Sequence, residues 1–384
     1  MPGFELIGKE ERNAVNEIFD SNSLFYNGKR VKYFERQFAD YIGVDYAVAV
    51  SSGTAALKTA LITAGIKPGD EVITQAFTFI ATVEAIIDVG ATPIIVNIDE
   101  TLNMDVEEFQ KAITPKTKAV IPVDMLGVST EVDQINAIAK ENKLIVIDDC
   151  CEALGADWGD EKLGAQFDLC TFSFDNGKTI TTGEGGMIVT NNEEYYKLCL
   201  EYRDHGHQNN PKFTRGRDTH RISGFNYRTT ELNAAIGIEQ LKKMDHIVDS
   251  NRKHYRVYEE SLKKVSGISF RRVPEKCNSL CDCLIINFPK PEQANQFVKL
   301  INEKGLGTKN VPDATEWHFA RHWDHIFMKY GLSSDDLYKL TQKSADILDR
   351  SVAIPVMVKD EVEKVMKNSD ILKEAVEDVL VSVD

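Results

Sequence analysis

No apolar run in this 384-residue chain approaches the roughly 20 residues that span a bilayer, so no membrane insertion is expected. Positive charge is also scarce. Lys and Arg number 45 against 60 Asp and Glu, a formal net charge of −15. That argues against nucleic acid and anionic membrane, which select basic surfaces. The opening Met1-Pro2-Gly3-Phe4-Glu5 has neither a basic segment nor an apolar one, so a cytoplasmic protein is expected. The cysteines number seven, an odd count, and Cys150, Cys151 and Cys170 lie in or beside apolar strands. Reduced, buried thiols fit this better than a disulfide framework. Cys277, Cys281 and Cys283 cluster, but their spacing matches no common zinc motif, and no metal is expected. There is no internal repeat and no low-complexity tract. What is present, 42 % hydrophobic and 27 % charged residues, is ordinary globular composition on a chain long enough for two domains.

Helical periodicity opens the chain at Lys9–Asp20 and Val31–Ile42. A regular alternation follows. Short apolar strands are predicted at Tyr46–Val50, Glu71–Thr74, Pro93–Asn97, Lys118–Val123, Leu144–Ile147, Asp168–Phe174 and Met187–Thr190. Helices separate them at Thr54–Ala64, Ile80–Val89, Val106–Ile113 and Glu131–Asn142, and another follows at Glu193–Tyr202. Continuously apolar strands alternating with helices indicate a parallel α/β sheet covered on both faces. Residues 203–224 are polar, basic and unpatterned, and carry His205, His207, Arg215, Arg217, His220 and Arg221. A stretch of that length is usually functional or disordered, and an anion-facing role and a solvated loop stay equally open. Helices at Thr230–Met244 and Asp245–Val265 lead to mixed helices and strands such as Cys283–Phe288, and a last helix at Lys359–Val383. The boundary is placed near Ser250, giving a large domain over residues 1–250 and a smaller one over 251–384.

In open parallel sheets, ligands gather at the carboxyl ends of the strands. Three such ends are unusual here. Ser51-Ser52-Gly53-Thr54-Ala55 passes from strand to helix, which suits an anion at free N–H groups and equally suits a plain N-cap on Ser52 or Thr54. Asp148-Asp149 closes the strand Leu144–Ile147, where a buried carboxylate needs a cationic or hydrogen-bonding partner. Lys178 sits in a polar turn between two apolar strands, where burial is expected to lower its pKa and free the amine to attack a carbonyl; an exposed turn lysine is the alternative. Together the three supply a phosphate cradle, a pyridinium partner and a Schiff-base amine, the groups that pyridoxal 5'-phosphate requires. Phe79, at a helix start, is a candidate to stack on its ring. His318, His322 and His325 are spaced i, i+4 and i+7, which puts them on one helical face that looks toward substrate or an interface rather than a metal.

On these motifs the chain resembles the DegT/DnrJ/StrS family of sugar aminotransferases, from about Pro2 to the C-terminus and most closely over Ser51–Gly237. The resemblance implies fold type I of the pyridoxal-phosphate enzymes, aspartate aminotransferase-like, with a mostly parallel seven-stranded sheet and a smaller α+β C-terminal domain. It implies that Ser52, Gly53, Thr54 and Ser173 hold the phosphate, Asp149 the ring nitrogen and Phe79 the ring face, with Lys178 as the Schiff-base lysine. Gly224-Phe225-Asn226-Tyr227-Arg228 matches a family segment whose asparagine reaches the phosphate of the other subunit's cofactor, which implies a homodimer with Asn226 in that role. Where members often have glutamine near the phenolic oxygen, this chain has Glu152, and where they often have histidine or an aromatic it has Asp175. An acid at 152 repels a phenolate unless protonated or paired. Asp175, His205, Arg215, Arg217, Arg228 and His318 are candidate substrate contacts.

The family activity implied is transfer of an amino group from L-glutamate to a keto or aldehydo sugar. Pro2–Leu6, Phe174-Asp175, Asp204–His207, Trp317-His318 and Trp323–His325 are similar to the subgroup that aminates the terminal aldehyde of an eight-carbon sugar acid, whose carboxylate would use the basic stretch 203–221. A nucleotide-linked 4-keto-6-deoxy hexose is the broader family alternative. Sugar dehydration is disfavoured because members that perform it lack the lysine. A non-catalytic regulator on the same fold is disfavoured by the intact Ser52-Gly53-Thr54, Asp149 and Lys178.

Overall fold

The computed structural model describes residues 3–21 and 28–381. Two amphipathic helices, α1 (Lys9–Asp20) and α2 (Lys29–Ile42), come first. In α2, Val31, Phe34, Phe38 and Ile42 recur at three- and four-residue spacing and form one buried stripe. The stripe rests on the sheet, with the Phe34 and Phe174 rings 5.4 Å apart and those of Phe38 and Phe172 5.0 Å apart.

The strands are β1 (Tyr46–Val50), β2 (Glu71–Gln75), β3 (Thr92–Val96), β4 (Thr117–Ile121), β5 (Ile145–Asp149), β6 (Leu169–Ser173) and β7 (Gly186–Thr190). They form one seven-stranded sheet in the order β1-β7-β6-β5-β4-β2-β3. Only β7 runs against its neighbours, pairing antiparallel with both β1 and β6. Around the sheet lie α3 (Gly53–Thr63), α4 (Ile80–Asp88), α5 (Val106–Ala112), α6 (Val132–Asn142), α7 (Glu193–Tyr202) and α8 (Glu231–Leu241). The predicted strands and helices of this part are all present, with ends shifted by one or two residues except at the predicted Thr230–Met244 helix, which ends at Leu241. The reversal of β7 aligns Gly186 with both Val50 and Ser173, so the exits of β1 and β6 open at one place.

The expected boundary near residue 250 falls inside the continuous helix α9 (Met244–Leu262). Its first half, Met244, Ile247 and Val248, packs in the core of the large sheet. Its second half, Tyr258 and Leu262, packs in a separate core over a three-stranded antiparallel sheet of β8 (Ser269–Phe270), β9 (Cys283–Asn287) and β10 (Ser351–Pro355). Between these strands, Val311, Phe319, Trp323 and Phe327 return to the core that holds α3 and α4. Backbone bonds fix that return: Thr78 N–H donates to His318 O at 2.9 Å and Ala320 N–H to Ala76 O at 2.8 Å. The C-terminal helix runs Val362–Val381, starting three residues later than expected; the end of its expected span, to Val383, lies outside the described residues, as does Pro2.

The three histidines are not on one helical face. His318 ends a four-residue helix, His322 lies in a following 3-10 turn, and His325 opens another short helix. The segment breaks because Phe319 leaves helical geometry, with φ −131° and ψ 118°, to pair with Phe77.

Gly237 in α8 faces the Phe34 ring, and an added Cβ would stand 2.6 Å from it. Gly237→Ala is expected to cost about 1–3 kcal/mol by overpacking, read as a lower urea midpoint.

Candidate active site

The site is built at the strand exits. Ser52 caps α3, its Oγ accepting from Ala55 N–H at 3.1 Å, so the turn does act as an N-cap. The same turn brings Ser52, Gly53 and Thr54, with Ser173 from the end of β6, to the wall of a cavity of about 450 Å³. The backbone approach is close. A Cβ on Gly53 would lie 2.9 Å from Ser173 Cβ, and one on Gly186 would lie 2.3 Å from Ser52 O. A helix start with no side chain at its first residue, beside a serine hydroxyl, fits a phosphate.

Asp149, at the end of β5, is buried on the same cavity. Its Oδ2 accepts from Thr82 Oγ1 at 2.8 Å and its Oδ1 from Cys151 N–H at 3.3 Å. Burial raises its pKa, against the hydrogen bonds from Cys151 and Thr82 and the charge of Lys178. Such a carboxylate is completed by a cationic N–H, and a protonated ring nitrogen supplies one. Phe79, 43 % exposed at the start of α4, opens onto the cavity, its ring 5.3 Å from that of His318.

Lys178 Nζ lies 3.4 Å from Glu152 Oε1. Burial alone would lower its pKa, as the sequence suggested, but Glu152 and then Cys151 and Asp149 outweigh it, and the net shift is upward. In the cofactor-free protein Lys178 is therefore a paired ammonium ion. Glu152 is buried too. Burial opposes its charge, yet Lys178, His318 and Lys309 hold its pKa down at about 2. Leu126 N–H donates to Glu152 Oε2 at 3.3 Å, and Asn310 Nδ2 donates to both oxygens at 3.3 and 3.4 Å. The acid at 152 is thus ionised and paired.

Asp175 also lines the cavity, its Oδ1 accepting from Gly177 N–H at 2.8 Å within the lysine turn. His318 lines it as well, its Nε2 3.8 Å from Glu152 Oε1. The other candidates lie elsewhere in this protomer. Arg215 grips Asp204 with two bonds of 2.7 and 2.6 Å, and Arg228 meets the same carboxylate. Arg221 binds Glu201 and Glu194. His205, Arg217 and Asn226 are exposed and off the cavity wall. Sequence reasoning missed Thr82, Lys309 and Asn310. Thr82 stands three residues after Phe79 on α4, a spacing that marks a shared helix face; nothing local marked the other two.

Below the cavity floor, Asp124 and Asp148 are fully buried. Asp124 Oδ1 accepts from Thr130 N–H at 2.7 Å and Asp148 Oδ2 from Cys170 Sγ at 3.6 Å, while Asp124 Oδ2 and Asp148 Oδ1 make no hydrogen bond of ordinary geometry among the described residues. Burial pushes the pKa of Asp124 up to about 7. A carboxyl raised in the folded state stabilises the fold below its unfolded pKa, and that contribution is lost as pH rises through the folded value. Asp124→Asn is therefore expected to flatten the decline in thermal midpoint of the cofactor-free protein between the ordinary value of 3.8 and about 7. An unaltered pH profile counts against a neutral Asp124. In the cofactor-loaded protein, Glu152→Gln is expected to lower the pH midpoint of the visible band by about a unit, because the amide no longer favours positive charge at Lys178.

Residues 5–368 match the model of the DegT/DnrJ/EryC1/StrS aminotransferase family. The GDP-perosamine synthase of Escherichia coli O157:H7 is 42 % identical over 258 residues, 67 % of this chain and 69 % of that protein. The GDP-4-keto-6-deoxy-D-mannose 3-dehydratase of Yersinia pseudotuberculosis is 33 % identical over 322 residues, 79 % of this chain and 82 % of that one. Among solved structures, the aminotransferase from Psychrobacter cryohalolentis has a TM-score of 0.85 at 27 % identity, over 98 % of each chain. The fold is that of the type I pyridoxal-phosphate enzymes, and the cavity residues fit that cofactor. The chain belongs to the DegT/DnrJ/EryC1/StrS aminotransferase family, and its cofactor is pyridoxal 5'-phosphate.

Proposed function

We propose that the protein transfers the amino group of L-glutamate to the terminal aldehyde of an eight-carbon 3-deoxy sugar acid, making 8-amino-3,8-dideoxy-manno-octulosonate for lipopolysaccharide or another surface glycan. The observation that carries the transfer is a single cavity holding the Lys178 amine, the buried Asp149 and the Ser52–Thr54 turn. The acceptor rests on the subgroup likeness at Phe174-Asp175, Asp204–His207, Trp317-His318 and Trp323–His325. A second reading, a nucleotide-linked 4-keto-6-deoxy hexose as acceptor, is favoured by the likeness to GDP-perosamine synthase.

The cofactor, when bound, supplies an electron sink for the carbon that exchanges its amine. The chain does the rest. Lys178 takes a proton from the substrate carbon and returns it, as general base and then acid. Asp149 keeps a proton on the ring nitrogen. Ser52, Gly53, Thr54 and Ser173 anchor the phosphate, and Phe79 covers the ring. Glu152, held by Leu126 and Asn310, keeps positive charge at Lys178 Nζ. In a homodimer, Asn226, exposed here, would hold the phosphate of the neighbouring subunit's cofactor. Donor and acceptor use the cavity in turn, so ping-pong kinetics are expected.

Lys178→Ala is expected to lower turnover by at least about 10²–10⁴-fold. The decisive experiment converts the yellow protein to its amine form with L-glutamate and then adds sugars one at a time. The eight-carbon aldehydo acid should restore the visible band. Restoration by the 4-keto hexose alone selects the second reading, and no bleaching by any amino donor favours a non-catalytic protein.

A further inference from the structure

The sequence pointed to the basic stretch 203–221 for the carboxylate of the acceptor, but Arg215 and Arg221 are tied to Asp204, Glu194 and Glu201, and Arg217 is exposed off the cavity wall. Among the described residues, the lysines on the cavity wall are Lys178 and Lys309. Lys178 is committed to the cofactor. Lys309 is not, and it is set with care. Its N–H donates to Ala353 O at 2.9 Å, which ties its backbone to β10. Its side chain is only 13 % exposed, and Asp282, entirely buried, holds its Nζ. Burial alone would lower its pKa, but Asp282, then Cys283 and Glu152, outweigh that and push it up to about 12. Asp282 does not line the cavity, so the counter-ion sits behind the ammonium ion. The next residue, Asn310, reaches the same Glu152 that pairs with Lys178, so both donors belong to the reacting end. A fixed ammonium ion on the cavity wall suits a carboxylate.

We infer that Lys309 is the donor-recognition residue of this site: it binds the α-carboxylate of the amino-acid donor and so turns the α-hydrogen toward Lys178. The inference rests on the aminotransferase reading with an α-amino-acid donor. It deepens that reading by assigning a carboxylate subsite.

The test titrates the visible band of the cofactor-loaded protein with L-glutamate, L-glutamine and 4-aminobutyrate, which lacks the α-carboxylate. Binding of 2-oxoglutarate to the same protein is followed by calorimetry. The variants are Lys309→Gln, Lys309→Arg and the double Lys309→Gln/Asp282→Asn, which avoids leaving Asp282 charged and unpaired. Loss of one charged hydrogen bond should weaken glutamate and 2-oxoglutarate by roughly 10- to 100-fold and leave 4-aminobutyrate unchanged, with partial rescue by arginine. Equal losses for both amines, or none, overturn the inference and reduce Lys309 to a partner of Asp282. A wild-type band that responds to glutamine and not to glutamate overturns the donor assignment alone, and Lys309 is then judged by the ratio of glutamine to 4-aminobutyrate. A wild-type band indifferent to every amine overturns both.

Discussion

The buried contact between Lys178 and Glu152 is the constraint around which the site is arranged. An ammonium ion and a carboxylate taken out of water together need further hydrogen bonds to offset their desolvation. Glu152 obtains them from Leu126 N–H and from Asn310, with His318 beyond. Leu126 can donate because its backbone is left-handed, with φ +54°, and a tight turn of that kind has to be held. Arg271 holds it. Its buried guanidinium donates to Met125 O at 2.8 Å and Leu126 O at 3.2 Å, and also to Thr101 O and Asn103. A residue beside the small sheet thus fixes the turn that fixes the partner of the Lys178 amine.

The sheet topology explains why the phosphate end forms where it does. Six strands point one way, and their carboxyl ends would otherwise lie in a row. Inserting β7 in reverse between β1 and β6 places Gly186 against Ser52, where a side chain would strike backbone. The Ser52 turn and Ser173 therefore meet across a gap that only glycine leaves open. The short ladder between Phe77 and Phe319 closes the opposite side by delivering His318. The cavity is accordingly walled by both parts of the chain, and the long helix α9, shared between the two cores, ties them together.

The α/β alternation, the seven strands and the positions of Ser52, Asp149 and Lys178 were legible because each depends on a local pattern. An apolar run marks a buried strand, and the residues just beyond it stand at the sheet's carboxyl edge. Phe79 was legible as an aromatic at a helix start, whereas Ser173 entered only through the family resemblance. The sequence by itself therefore determined the architecture and the edge that carries the chemistry. Only the tertiary structure decided what surrounds those groups. The pKa of Lys178 moves up rather than down because a carboxylate in contact outweighs burial, a balance of opposing effects that spacing does not encode. Arg215 and Arg221 are spent on Asp204, Glu194 and Glu201, and the three histidines separate where Phe319 leaves the helix to pair with Phe77. Lys309 and Asn310 reach the site across more than a hundred residues of sequence. Periodicity reports which face is buried, whereas the partner of a buried charge is chosen by the packing of distant segments.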